Sequence, residues 1–262
     1  MKRIVGVIVM AAFLLCGTVA GAMFYRQYSD AKSSEDAFAQ LQKQVKKPEG
    51  LTDTVPGETT DTVPEGTDSV PETTVFDKYR PLYEQNNDLV GWIRIDGTGI
   101  DYPVMQTPSN PDYYLKHSFE KKWSDYGVPY VDGSCTIGLS NNLIIYGHNM
   151  KNGTMFHDLV NYTKNGFYEA HPVIYFDSVD APGQYQIIAA FRYNTNKETF
   201  VYNEHTDMNE VEFAEYVENC RARSIYDTGF SAKFGDQLIT LSTCEYTYTN
   251  GRFVVVAKKI VE

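Results

Sequence analysis

A mainly β fold of eight short strands, closed into a barrel or packed as a sandwich, is what this sequence predicts, on three observations. Aromatic residues make up 14% of the chain, with Tyr 20 and Phe 14, which suits a sheet-rich core better than a helical bundle. From Leu89 onward, runs rich in β-branched and aromatic residues recur: VGWIRI, IDYPVMQ, GVPYVD, NNLIIYG, PVIYFD, YQIIAAFRY, QLITLSTC and RFVVVAKKI. Gly, Pro, Asn and Asp punctuate them, and strands of that length and spacing close into a barrel or stack as two sheets.

The elements ahead of the strands read differently. After a basic start at Met1 to Arg3, residues 4–25 carry no charge over 22 positions. As a helix this run would span roughly 33 Å, enough for a bilayer core, so residues 1–26 are expected to form a single-pass membrane anchor with the rest of the chain outside the cell. A cleaved signal peptide competes, because Ala20-Gly21-Ala22 resembles a small-residue cleavage site. Phe38, Leu41 and Val45 then fall at helical spacing among charges, which predicts at most a marginal helix over 27–47. Residues 53–74 read DTVPGETT, DTVPEGT, DSVPETT, a short repeat rich in Pro, Thr and acid that has too little apolar surface to order itself. Residues 27–74 are therefore expected to be a stalk, and 75–262 the working domain.

That domain opens with Phe76, Tyr79, Leu82 and Tyr83 on one helical face, predicting a short N-terminal helix. Residues 154–162, TMFHDLVNY, predict a brief helical turn. Residues 208–224 predict a longer helix in which Val211, Ala214 and Val217 share a face flanked by Phe213, Tyr216 and Cys220, with Asp207 and Glu210 as a start signal. Cys220 is then a small buried apolar residue.

Charge bounds the partners. The formal net charge is −11, and residues 48–74 supply seven acids with no Lys or Arg, leaving −4 for the remainder. Neither part has the basic footprint a phosphate backbone demands, so nucleic acid is not an expected partner. No metal-ligand spacing is visible, so no metal or cofactor is expected. The four cysteines, at 16, 135, 220 and 244, leave three beyond the anchor, which does not suit a disulfide framework and makes one reactive thiol a candidate.

In QLITLSTC, alternation points Ile239, Leu241 and Thr243 one way, and Thr240, Ser242 and Cys244 the other. The apolar set faces the core, so Cys244 and Ser242 are expected to open onto a more polar surface. Asn250-Gly251 is a turn signal that returns the next strand antiparallel, with Arg252 on the face of Cys244. A guanidinium beside a thiol favours the attacking thiolate and can hold an oxyanion, although an inert cysteine next to a surface arginine fits the same spacing. For a proton carrier, His148 sits where the run LIIY ends and a loop opens, while His157 lies in an amphipathic turn; position alone favours His148 over His157.

These stretches resemble the class B sortases, membrane-anchored cysteine transpeptidases of Gram-positive bacteria. The resemblance is carried by TLSTC with an Arg shortly after, IIYGHNM followed by KNGTMF, GIDYPVMQ, and YYLKHSFEKK with GVPYVD behind it, across nearly all of residues 75–262. It implies an eight-stranded β-barrel with a helix inserted before the cysteine strand. It implies Cys244 as nucleophile, His148 as acid and base, and Arg252 as oxyanion-holding or substrate-orienting cation. It also implies Leu115, Ser242 and Glu245 along a peptide groove. The implied partners are surface proteins bearing a C-terminal sorting signal of the Asn-Pro-x-Thr kind and a cell-wall amine that receives them. Some relatives carry an acid two positions after the cysteine, where this chain has Tyr246. Two rivals remain: a papain-like peptidase or cell-wall amidase, which would place its cysteine before its histidine, and a non-enzymatic binding module on a stalk.

Overall fold

The computed structural model describes residues 2–46 and 75–261. The Pro-Thr repeat at 53–74 lies outside the described residues. Two helices, α1 (Lys2–Lys46) and α2 (Val75–Gln85), precede the strands. Then follow β1 (Leu89–Arg94), β2 (Asp101–Met105), β3 (Tyr130–Val131), β4 (Asn142–Tyr146), a short α3 (Phe167–Ala170), β5 (Val173–Ser178), β6 (Gln184–Asn194), α4 (Glu210–Arg223), β7 (Leu238–Glu245) and β8 (Gly251–Lys259).

The eight strands close into one barrel in the order β1-β2-β3-β4-β7-β8-β6-β5, with β5 pairing back onto β1. Closure leaves no strand edge to template aggregation, and it decides between the two architectures the strand count allowed. All pairings are antiparallel except β2 with β3 and β4 with β7. The parallel β4–β7 seam needs a long crossover, and residues 147–237 supply it.

Alternation along the strands splits the apolar side chains between two cores. Ile93, Val104, Ile145, Leu241, Phe253 and Val255 fill the barrel. On the outer face of β6, β7 and β8, Ile188, Phe191, Val254 and Val256 meet Phe213, Tyr216, Val217 and Cys220 of α4, together with Tyr202. A sheet buried on both faces explains why these strands read as near-continuous apolar runs. The start of α4 differs from the expected one. Asn209, not Asp207, is the N-cap: its side chain accepts from Val211 and Glu212 N–H, and Glu212 reaches back to the Asn209 N–H. Val211 is exposed, because the face that packs is the Phe213, Tyr216, Val217, Cys220 stripe.

The expected membrane anchor is not supported by the structure. Among the described residues no helix is long and apolar enough to cross a membrane. Helix α1 does not stop where the uncharged run ends but continues through Arg26, Asp30, Lys32 and Glu35 to Lys46; the side chains of residues 2–9 and 11–13 lie outside the described ones. Nor is its second half marginal. Phe38 and Leu41 are buried, Phe38 lies edge-on to Tyr102 at 5.1 Å, and Gln42 Nε2 donates to the Asp101 carbonyl at 2.8 Å. The barrel supplies the apolar partner that an isolated amphipathic helix lacks. The expected turn at 154–162 forms as a 3₁₀ segment, His157–Thr163.

Candidate active site

The register of β7 and β8 decides what Cys244 can meet. The hairpin turns through Asn250, whose φ of 59° is left-handed, and Cys244 stands directly opposite Arg252. Directly opposed residues of an antiparallel pair point to the same face, with Cβ atoms roughly 4.5–5.5 Å apart. That face is the outer one, and most of it is roofed. Thr240 Oγ1 lies 2.8 Å from Tyr216 OH and donates to Asn142 Oδ1, and Ser242 Oγ lies 2.6 Å from Tyr202 OH. The roof ends there, and Cys244 and Arg252 emerge beyond it, each half-buried.

The expectation that Ser242 opens beside Cys244 is therefore corrected. Ser242 is 1% exposed, because the α4 insertion and the Tyr202 turn cover the polar face of β7 up to that residue. Glu245 is also buried, its carboxylate accepting from the Thr247 N–H and hydroxyl and from Arg192 Nε at 3.4 Å. Leu115 reaches the site through its backbone carbonyl, which His148 bonds.

The parallel seam brings in the histidine. Tyr146 pairs with Ser242, Gly147 N–H donates to the Ser242 carbonyl at 3.1 Å, and Thr243 Oγ1 donates back to the Gly147 carbonyl at 2.7 Å. A Cβ at Gly147 would lie 2.6 Å from the Phe156 ring, so only glycine lets that ring close over the strand end. The Tyr146–Ser242 register, continued two residues past the end of β4, sets His148 level with Cys244, and His148 is bracketed there by the Gly147 N–H bond to Ser242 O and the Asn149 Nδ2 bond to Cys244 O. Its Nε2 lies 2.8 Å from the Leu115 carbonyl. A carbonyl can only accept, so Nε2 carries the hydrogen and Nδ1 of the neutral ring keeps its lone pair. Burial lowers the His148 pKa below its ordinary value; the Leu115 bond opposes that, Lys116 adds to it and Asp125 opposes it.

The other thiols of the barrel are ruled out by burial. Cys135 and Cys220 are buried and their pKa values pushed up to about 11 and about 12, so neither supplies thiolate near neutrality. The other four histidines are engaged elsewhere: His117 stacks on Tyr113 at 3.9 Å, His157 Nδ1 lies 2.8 Å from Asn149 Oδ1, His171 bonds the Asp96 carbonyl, and His205 packs against the Phe200 and Tyr216 rings. Tyrosines that sequence reasoning passed over surround the sulfur. Burial raises the pKa of Tyr130, Tyr202 and Tyr246; a charge on Cys244 raises each further, and Arg252 opposes the rise at Tyr202 and Tyr246. Asn149 was missed as well: its Nδ2 donates to the Cys244 carbonyl at 2.8 Å. A polar residue directly after a strand-ending histidine is the only trace of it in the sequence.

A half-open thiol with a cation opposite and a neutral imidazole level with it can perform acyl transfer: attack by sulfur, charge stabilisation by guanidinium, proton exchange through imidazole.

Comparison with known proteins bears on the same chemistry. A family model described as the sortase domain matches residues 93–260. Sortase B of Listeria monocytogenes is 32% identical over 258 residues, covering 97% of this chain and 95% of the relative. Sortase B of Staphylococcus aureus is 35% identical over 189 residues, covering 69% and 75%. A solved S. aureus sortase B–substrate complex superposes with a TM-score of 0.73 at 28% identity, covering 88% of this chain and 98% of that one.

Proposed function

This chain belongs to the sortase family and is a cysteine transpeptidase, and from that premise we propose that Cys244 is its nucleophile, His148 its acid and base, and Arg252 its oxyanion-holding cation. The single observation that carries the assignment is the convergence on the end of β7 of Arg252, opposite Cys244, and of His148, held in the segment after β4 between the Gly147–Ser242 and Asn149–Cys244 bonds.

The substrate is a surface protein whose sorting signal, of the Asn-Pro-x-Thr kind, lies beside Cys244. His148 Nδ1 takes the Cys244 proton, the resulting thiolate attacks the threonine carbonyl carbon, and Arg252 faces the oxygen that gains charge. The carbon–nitrogen bond then breaks, and protonated His148 gives its Nδ1 proton to the departing amine, leaving a thioester to Cys244. An amine of the cell wall loses a proton to His148 and attacks the thioester. A new amide forms, the sulfur leaves as thiolate, and the surface protein is anchored. Splitting one amide exchange into two steps, each with a good leaving group, is what the thiol contributes. His148 Nδ1 is the exchanging atom because Nε2 is engaged by Leu115.

The test is incubation with a panel of candidate signal peptides, with and without an added amine, followed by mass spectrometry. Expected are a thioester adduct on Cys244 and, with amine present, the transfer product. Peptide cleavage that persists in Cys244→Ala, or product that never incorporates the amine, overturns the proposal.

A further inference from the structure

The β4–β7 ladder stops one bond short of the cysteine, and a side chain completes it. In a parallel pair, donors come from alternate residues of one strand to the carbonyls of the other. Gly147 N–H donates to Ser242 O, so the next bond due is from Asn149 N–H to Cys244 O. The chain peels away at His148, and Asn149 Nδ2 makes that bond instead, at 2.8 Å. The amide's orientation is dictated from behind. Cys244 O can only accept, so Nδ2 faces it, and Asn149 Oδ1 faces His157 Nδ1 at 2.8 Å, which must then carry the hydrogen. Asn149 itself is 9% exposed, and its backbone carbonyl accepts from Tyr246 OH at 3.1 Å.

We propose that Asn149 and His157 are positioning residues of the transpeptidase reaction: His157 locks the Asn149 amide, and the amide holds the Cys244 main chain level with His148 after the ladder has ended. Resting on the assignment of Cys244 and His148 above, the inference adds two residues that act through them. Neither touches substrate. Removing the amide leaves Cys244 O without its donor and lets the two strand ends slide relative to each other, and small misplacements of reacting groups are costly.

The test uses full-length chain carrying Asn149→Ala, Asn149→Asp, His157→Ala, His157→Asn or the double alanine change, each first checked for a wild-type unfolding transition. Two readouts follow: the pH profile of Cys244 alkylation by iodoacetamide, which needs no substrate, and kcat and KM for a peptide the wild type processes. Asn149→Ala should lower kcat by on the order of tenfold or more with KM little changed, and displace the alkylation profile. Asn149→Asp keeps the shape but opposes a carboxylate to a carbonyl. Its deficit relative to wild type should shrink from about pH 7 towards about pH 5, as the carboxyl gains a hydrogen to donate. His157→Asn, which can present an N–H near the Nδ1 position, should retain more activity than His157→Ala. The double change should be no worse than Asn149→Ala alone. Wild-type kcat and alkylation profiles in both Asn149 variants, or additive losses in the double change, overturn the proposal. A wild type that processes no peptide would sink the functional assignment instead, and the alkylation profiles would still decide this one.

Discussion

In its proposed role Arg252 acts through shape as much as charge. A guanidinium offers a rigid fork of N–H groups, whereas an ammonium is a compact point charge on a flexible stem, so Arg252→Lys should lower kcat by roughly a hundredfold while leaving the unfolding midpoint unchanged. His148 offers a second test. Its pKa is lowered chiefly by burial, with Lys116 adding and Asp125 opposing, and those two form an ion pair at 3.1 Å. An NMR titration should give a midpoint below the ordinary histidine value, moving up in Lys116→Met and down in Asp125→Asn. The linked effect on stability has a definite sign. A histidine depressed in the folded state binds its proton more readily when unfolded, so its contribution is neutral above the unfolded pKa of about 6.5 and becomes destabilising as pH falls below it. Residue-level legibility follows the same division. Cys244 and Arg252 could be paired from alternation and an Asn-Gly turn, because both lie on one hairpin. Asn149 could not, since its partner is 95 positions away and meets it only across a parallel seam.

Helix α4 and the Tyr202 turn before it shape the site, roofing β7 as far as Ser242. Phe213 is fully buried against the outer face of the barrel, and Phe213→Ala should cost about 3–5 kcal/mol, read as a lowered denaturation midpoint. Asn209→Ala removes the capping box and should cost about 1 kcal/mol. Both changes act at a distance from the sulfur. Alternation correctly told which way Ser242 points but not what lies on that side. The roof comes from a helix whose packing stripe includes Tyr216 and Cys220, and a tyrosine hydroxyl that bonds Thr240 looks from sequence like a surface group. Period-2 patterning reports burial only when one face of a strand is wet, and β7 is dry on both for most of its length.

At the scale of the whole molecule, eight strands were legible because each is bounded by its own turn residues, while closure was not, since barrel and sandwich share the same local pattern. The long α1 was misjudged for a related reason. Phe38, Leu41 and Val45 acquire meaning only when Tyr102 and α2 are present to receive them. The helix also braces the loop that holds His148: Asp30 accepts from the Asp125 N–H at 3.1 Å, and Glu35 accepts from Asn152 Nδ2 at 2.9 Å. Phe38→Asp should release α1, seen as faster amide exchange in residues 30–46 with the strand amides unchanged. The sulfur comes from β7, the imidazole from the loop after β4 and the guanidinium from β8, and the last of them to leave the ribosome is the guanidinium. A partly synthesised chain therefore carries a thiol without the cation opposite it, so the proposed acyl transfer has to wait until folding is all but finished.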